Sequence, residues 1–112
     1  MTDSPTVLAQ LMQVIVDRKV HRPASSYTTK LLDGGAAAIG KKITEEAAEV
    51  VEAAGELGDP GHDHLVREAA DLIYHLFVML ASRDVGLDEV ETELARRFGI
   101  SGLDEKASRQ QK

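Results

Sequence analysis

Two stretches of helix-forming sequence, 36–56 and 62–83, are joined by Gly58-Asp59-Pro60-Gly61, and they constrain this chain more than anything else in it. Ala, Leu, Glu, Lys and Gln dominate, and nowhere do β-branched or aromatic residues alternate as a half-buried strand requires. Gly-Asp-Pro-Gly is a strong turn signal, and so short a connection makes the two helices antiparallel neighbours. A first helix is expected from the Ser4-Pro5 pair, with Ser4 as N-cap and Pro5 as the first helical residue. Val7, Leu8, Leu11, Met12 and Ile15 form its apolar stripe to about Lys19, and His21-Arg22-Pro23 ends it. Tyr27–Leu32 predicts a short helical segment stopping at Asp33-Gly34-Gly35. A last helix is expected near Asp88, where Asp88 and Glu91 imitate a capping box, ending near Phe98-Gly99. The fold class is all-α: a four- to five-helix bundle in residues 1–100, followed by a polar, flexible tail over 101–112.

At 112 residues the chain has room for one domain and a modest core. From Ala69 to Ala81 it is apolar nearly all round. A helix apolar on every side is buried on every side. In so small a chain the natural cover is a second copy in a two-fold homodimer, the alternative being enclosure by the first and last helices. With no cysteine, a disulfide scaffold, a thiolate zinc site and a cysteine nucleophile are excluded. No stretch approaches the ~18 apolar residues of a membrane span, and Met1–Asp17 lacks a positively charged start. A cytoplasmic protein with no membrane partner is expected.

The net charge of −6 is unevenly distributed. Between Thr44 and Leu72 stand nine acids and one base, Arg67, so this window alone carries −8 and the remainder +2. Nucleic acid is a poor partner for it, because phosphate contacts need a basic patch. On a helical wheel with Ile39 at zero, Ile43, Val50 and Leu57 define an apolar stripe. Glu46 falls inside that stripe at about −20° and Glu49 along its edge at about −80°, whereas Glu45, Glu52 and Glu56 cluster beyond about −100°. On the next helix, with Leu65 at zero, Leu72, Leu76, Met79 and Leu80 form the apolar arc. Glu68, His75 and Asp71 make a polar strip bordering it, between about −60° and −120°. Each helix therefore offers carboxylates one turn apart, and antiparallel packing can bring Glu46/Glu49 opposite Glu68/Asp71.

Acid runs on helices are usually solvated faces, which suits Glu52, Glu56, Asp59 and Asp63. Glu46 is different, since a carboxylate is seldom buried unless paired, and Arg67 is the one base in the window. Four converging carboxylates repel one another unless they bind protons or a cation. Oxygen ligands without cysteine or a histidine pair point to Mg²⁺ or Mn²⁺. Such ions complete their shells with substrate phosphate and prepare water for in-line attack. Lys41 and Lys42 precede the paired glutamates, with Arg22 and Lys30 further upstream. Lys42 lies beside the acidic edge, where a phosphate contact is expected; Lys30 reads as surface. His75 suits either a hydrogen-bonded support of the site or a substrate contact, with a satisfied core histidine as the plainer alternative. His62 and His64 carry no spacing signal. Tyr74 lies opposite Leu65 and is expected on a second packing surface.

Glu45-Glu46-x-x-Glu49 followed by Glu68-x-x-Asp71 resembles the EExxE…ExxD signature of the all-α nucleoside triphosphate pyrophosphatases, the MazG-like superfamily. Within it, Arg22-Pro23, Ser26-Tyr27-Thr28, Lys42-Ile43, Asp71-Leu72 and Tyr74-His75-Leu76 resemble the phosphoribosyl-ATP pyrophosphatase family of histidine biosynthesis. The resemblance runs from Arg22 to about Arg97. It implies an all-helical dimer or related assembly that hydrolyses phosphoribosyl-ATP to phosphoribosyl-AMP and pyrophosphate with Mg²⁺. Carried over by position, Glu46, Glu49, Glu68 and Asp71 are metal ligands, and Glu45 binds metal or orients the attacking water. Arg22, Tyr27, Lys42 and His75 line the nucleotide site. Thr44 stands where relatives often have glycine, which bears on local packing more than on chemistry. Two alternatives remain at this point: a house-cleaning nucleoside triphosphate pyrophosphatase, and a non-enzymatic helical interaction module whose acids only solubilise it.

Overall fold

The computed structural model describes residues 5–110, and among them every regular element is helical. Helix α1 spans Val7–His21, α2 Tyr27–Ala54, α3 Gly58–Ser82, α4 Leu87–Arg96 and α5 Gly102–Gln110. Ser4 lies outside the described residues. The cap of α1 is Thr6, whose Oγ1 accepts from the Ala9 N–H at 3.1 Å, so Pro5 precedes the cap instead of opening the helix. Its C-terminus is closed by Arg22 in the left-handed region (φ 43°), with the Arg22 N–H on the Arg18 carbonyl.

Helix α2 opens on Ser26, whose Oγ accepts from the Thr29 N–H at 3.3 Å. Gly35 departs from helical geometry (φ 73°, ψ −169°), so α2 breaks at the Asp33-Gly34-Gly35 punctuation into a short and a long segment. The turn expected at Gly58–Gly61 is instead the first turn of α3, and only Gly55-Glu56-Leu57 connect the two helices. Gly58 takes φ 77°, and Pro60 sits where a missing N–H costs nothing. Gly61 is buried against the chain it has just left: a Cβ there would lie 2.6 Å from the Glu56 carbonyl oxygen. Because that neighbour is backbone, Gly61→Ala is expected to destabilise the protein by roughly 1–3 kcal/mol, read as a lower urea midpoint. A midpoint unchanged from wild type would show that the close approach constrains nothing.

Pairs across α2 and α3 descend in register, Tyr27 meeting His75, Thr28 meeting Tyr74 and Glu46 meeting Glu68 and Asp71, and Glu56 of the connection meets His64. The two helices are therefore antiparallel, and α1 packs against both. The core joins Met12 and Ile15 of α1, Leu31, Leu32 and Ile39 of α2, and Phe77, Val78 and Ala81 of α3. Tyr74 is half-buried against this core with its hydroxyl bonded to Thr28, so it does not form a separate surface. The arc expected on α3 is rotated: Phe77, Val78 and Ala81 are buried while Leu76 stays 43% exposed. An all-round apolar helix carries no period that could choose between these faces.

Helix α4 begins one residue before Asp88, which makes Glu89 its third residue. Its carboxylate, not that of Glu91, accepts from the Gly86 N–H at 2.8 Å. Glu93 is held between Arg96 and Arg97, which keep its carboxyl down at about 2. The tail read as polar and flexible contains α5, whose described side chains are exposed. Among the described residues no helix is long and apolar enough to cross a membrane.

Candidate metal centre

The hairpin of α2 and α3 has two unlike halves. Its open end, around Ile39 and Val78, holds the core. Toward the turn, from Thr44 to Ile73, Ala53 is the one buried apolar side chain. Carboxylates occupy the facing positions there. Oxygens of Glu46, Glu68 and Asp71 all lie within 4.8 Å of one another. Glu46 and Glu68 are half-buried, and each has one oxygen, Oε2, that is buried without a hydrogen-bond partner. An ionised carboxylate supplies no donors, so the cluster cannot satisfy itself.

Glu49, also expected as a ligand, is exposed and stands outside that group of three, beside Glu68. Hydrogen bonding to Glu68, then the Glu68 charge, pushes its carboxyl above the ordinary range, with Glu46 acting in the opposite sense. A proton is thus one way to relieve the repulsion, and a cation is the other. The donor set fits a hard divalent cation: oxygen only, several charges, and two oxygens awaiting a partner.

Around this cluster stand the other residues singled out by the sequence. Glu45 is exposed, its Oε2 3.6 Å from the Lys42 ammonium. The Tyr27 hydroxyl bonds to His75 Nε2 at 2.8 Å, and His75 Nδ1–H donates to the Asp71 carbonyl at 2.8 Å. His75 is buried with both ring nitrogens engaged. Tyr27 is 48% exposed; its ring stacks on Tyr74 (centroids 6.3 Å apart) and meets His75 edge-on. Partial burial pushes the Tyr27 phenol up, Lys42 opposes this, and Tyr74, Glu46 and Asp71 add to the rise, so tyrosine, lysine and acids share one field. Arg22 differs: its guanidinium pairs with Asp33 at 2.7 Å and bonds the Lys19 carbonyl at 3.1 Å.

His64 is the residue that sequence reasoning passed over. Its Nδ1 lies 3.0 and 3.1 Å from the two Glu56 oxygens, and its Nε2 lies 3.5 Å from Glu68 Oε1. Hydrogen bonding to Glu56 pushes His64 above its ordinary value. The i, i+4 spacing to Glu68 was visible, but the Glu56 contact exists only once the turn has folded.

Fold and site together define an all-α protein with a cluster of carboxylates between two antiparallel helices. The sequence profile of the family described as Phosphoribosyl-ATP pyrophosphohydrolase matches residues 8–98. Curated proteins named Phosphoribosyl-ATP pyrophosphatase are similar over nearly the whole chain. That of Rhodopirellula baltica is 55% identical, covering 97% of this chain and 91% of its own. That of Trichlorobacter lovleyi is 49% identical (99% and 100%), and that of Nitrosomonas eutropha 43% (99% and 92%). The chain belongs to the phosphoribosyl-ATP pyrophosphohydrolase family.

Proposed function

We propose that this protein hydrolyses phosphoribosyl-ATP to phosphoribosyl-AMP and pyrophosphate in the cytoplasm, an early step of histidine biosynthesis, with Mg²⁺ as cofactor and Mn²⁺ as a substitute. The observation that carries this reading is the convergence of Glu46, Glu68 and Asp71 with two buried, unpartnered carboxylate oxygens. Family membership supplies the substrate.

When bound, the cation neutralises phosphate charge and lowers the pKa of a coordinated water. Glu46, Glu68 and Asp71, with Glu49 beside them, would hold it. Glu45, beside Glu46 but turned to solvent, orients the water that adds across the α–β phosphoanhydride. Lys42 meets phosphate oxygens at the rim, and Arg22 joins by exchanging Asp33 for a phosphate. The exposed Tyr27 ring lines the nucleotide site. His75, buried and doubly bonded, acts through Tyr27 by tying it to the Asp71 turn.

A homodimer completes the protein in this reading. The single chain exposes 8044 Å², against about 6,000 Å² for a folded monomer of its mass. Its radius of gyration is 16.6 Å, against about 13 Å for a compact domain of roughly 100 residues. Val66, Ile73 and Leu76 are exposed along one face of α3. That surplus is of the size an obligate interface removes.

The test offers phosphoribosyl-ATP, ATP and deoxynucleoside triphosphates separately with Mg²⁺ and measures pyrophosphate release. Turnover of phosphoribosyl-ATP, abolished by a chelator, is expected. Brisk turnover of free triphosphates with none of phosphoribosyl-ATP would replace this reading with the house-cleaning one. Sedimentation equilibrium should give twice the chain mass.

A further inference from the structure

Glu68 has two oxygens in different situations. Oε2 is buried, unpartnered and part of the cluster, whereas Oε1 faces the His64 ring at 3.5 Å. His64 is itself fixed from the other side, its Nδ1 within 3.1 Å of both oxygens of Glu56. Glu56 belongs to the three-residue connection between α2 and α3, and its main chain closes on Gly61. A continuous line of contacts therefore runs from the interhelical turn through Glu56 and His64 to Glu68. The Glu68 side chain is only 13% exposed, with Oε2 the oxygen fully shut away from solvent.

We propose that His64 is a positioning residue for the cation site. Braced by Glu56, its imidazole occupies Oε1 and fixes the plane of the Glu68 carboxylate, leaving Oε2 directed at Glu46 and Asp71. This rests on the cation reading above. Without the brace, Glu68 is free to rotate about its terminal torsions, and the site must order it each time a cation binds. Groups that orient a metal's ligands in this way typically contribute 10–100-fold to affinity or activity.

The experiment measures Mn²⁺ binding to the full-length, metal-free protein by calorimetry and by loss of the free-ion paramagnetic resonance signal, with no substrate present. His64→Ala is expected to weaken Mn²⁺ by about 10-fold or more. His64→Gln, whose amide can reach Glu68 as a donor, should recover most of that loss. In turnover assays the Mg²⁺ concentration for half-maximal rate should rise in His64→Ala while KM for the nucleotide stays near wild type. A folded His64→Ala that binds Mn²⁺ like wild type overturns the proposal, and so does a His64→Gln no better than alanine. Glu68→Gln serves as reference: Mn²⁺ binding unchanged in that variant overturns the cation reading as well, whereas its loss alongside an intact His64→Ala overturns the brace alone.

Discussion

Glu46→Gln is expected to lower Mg²⁺-dependent pyrophosphate release by roughly 100-fold or more while making the metal-free protein no less stable. The activity loss follows from charge and position. Glutamine keeps the shape of the side chain but offers one weakly donating oxygen where a carboxylate faced Glu68 and Asp71 within 4.8 Å. Loss of a group that merely supports a metal ligand already costs 10–100-fold, and on the proposed reading this substitution replaces a ligand itself. Stability moves the other way because Glu46 Oε2 is buried without a partner beside like charges. An amide N–H at that position donates to a neighbouring carboxylate, which is worth roughly 1.5–3 kcal/mol. The wild-type protein should in turn gain about 2.7 kcal/mol from Mg²⁺ at a hundredfold excess over its Kd, and the variant should gain far less. Opposed changes in melting temperature and rate separate a built cation site from a structural acid. Unchanged Mg²⁺-dependent turnover would sink the assignment.

The placement of the acids was legible because it broke a rule. Glu46 occupied a position in an apolar stripe, and the structure brings it within reach of Glu68 and Asp71, whereas Glu49, expected beside it, stays exposed outside that group. The break at Gly35 was legible for a related reason, since paired glycines interrupt an otherwise continuous helical pattern. What failed to read were features decided by tertiary contacts. The α3 core face could not be chosen from a segment apolar on every side: Leu76, in the expected apolar arc, is exposed, and Phe77, outside it, is buried. Gly58–Gly61 had turn chemistry, yet a positive φ at Gly58 and the missing Cβ of Gly61 let the helix begin inside it. His64 needed Glu56, eight residues away across that turn, before it had any meaning.

The two halves of the hairpin also divide the labour between stability and chemistry. The core is concentrated around Leu31, Leu32, Ile39, Phe77 and Val78, and the acidic half contributes almost no buried apolar surface of its own. Its geometry is held from both ends: by the tight turn at Gly61 and by the Tyr27–His75–Asp71 tie. Contacts outside the cluster thus help to keep the carboxylates close before a proton or a cation relieves their repulsion.

Ile39→Ala is accordingly expected to damage the fold heavily. Ile39 is fully buried, and it lies two helical turns before Glu46 on the same face of α2. Truncating a buried isoleucine costs roughly 2–5 kcal/mol, the removed methyl groups and the residual cavity both contributing. A domain of this length has roughly 6–17 kcal/mol in total, so the loss is a large fraction of what holds it folded. At about 4 °C per kcal/mol the melting temperature should fall by roughly 8–20 °C. Ile39→Val should cost only about 0.5–1.5 kcal/mol, which separates a packing effect from any peculiarity of the position. Leu76→Ala makes the sharper comparison, because Leu76 is exposed in the single chain. Should a second copy cover that face, the Leu76 variant will melt lower and more steeply with dilution, as mass action requires. The Ile39 variant weakens the protomer itself, and its deficit should persist at every protein concentration. A melting temperature for Ile39→Ala within 2 °C of wild type would mean that the core around Ile39 does not hold the hairpin.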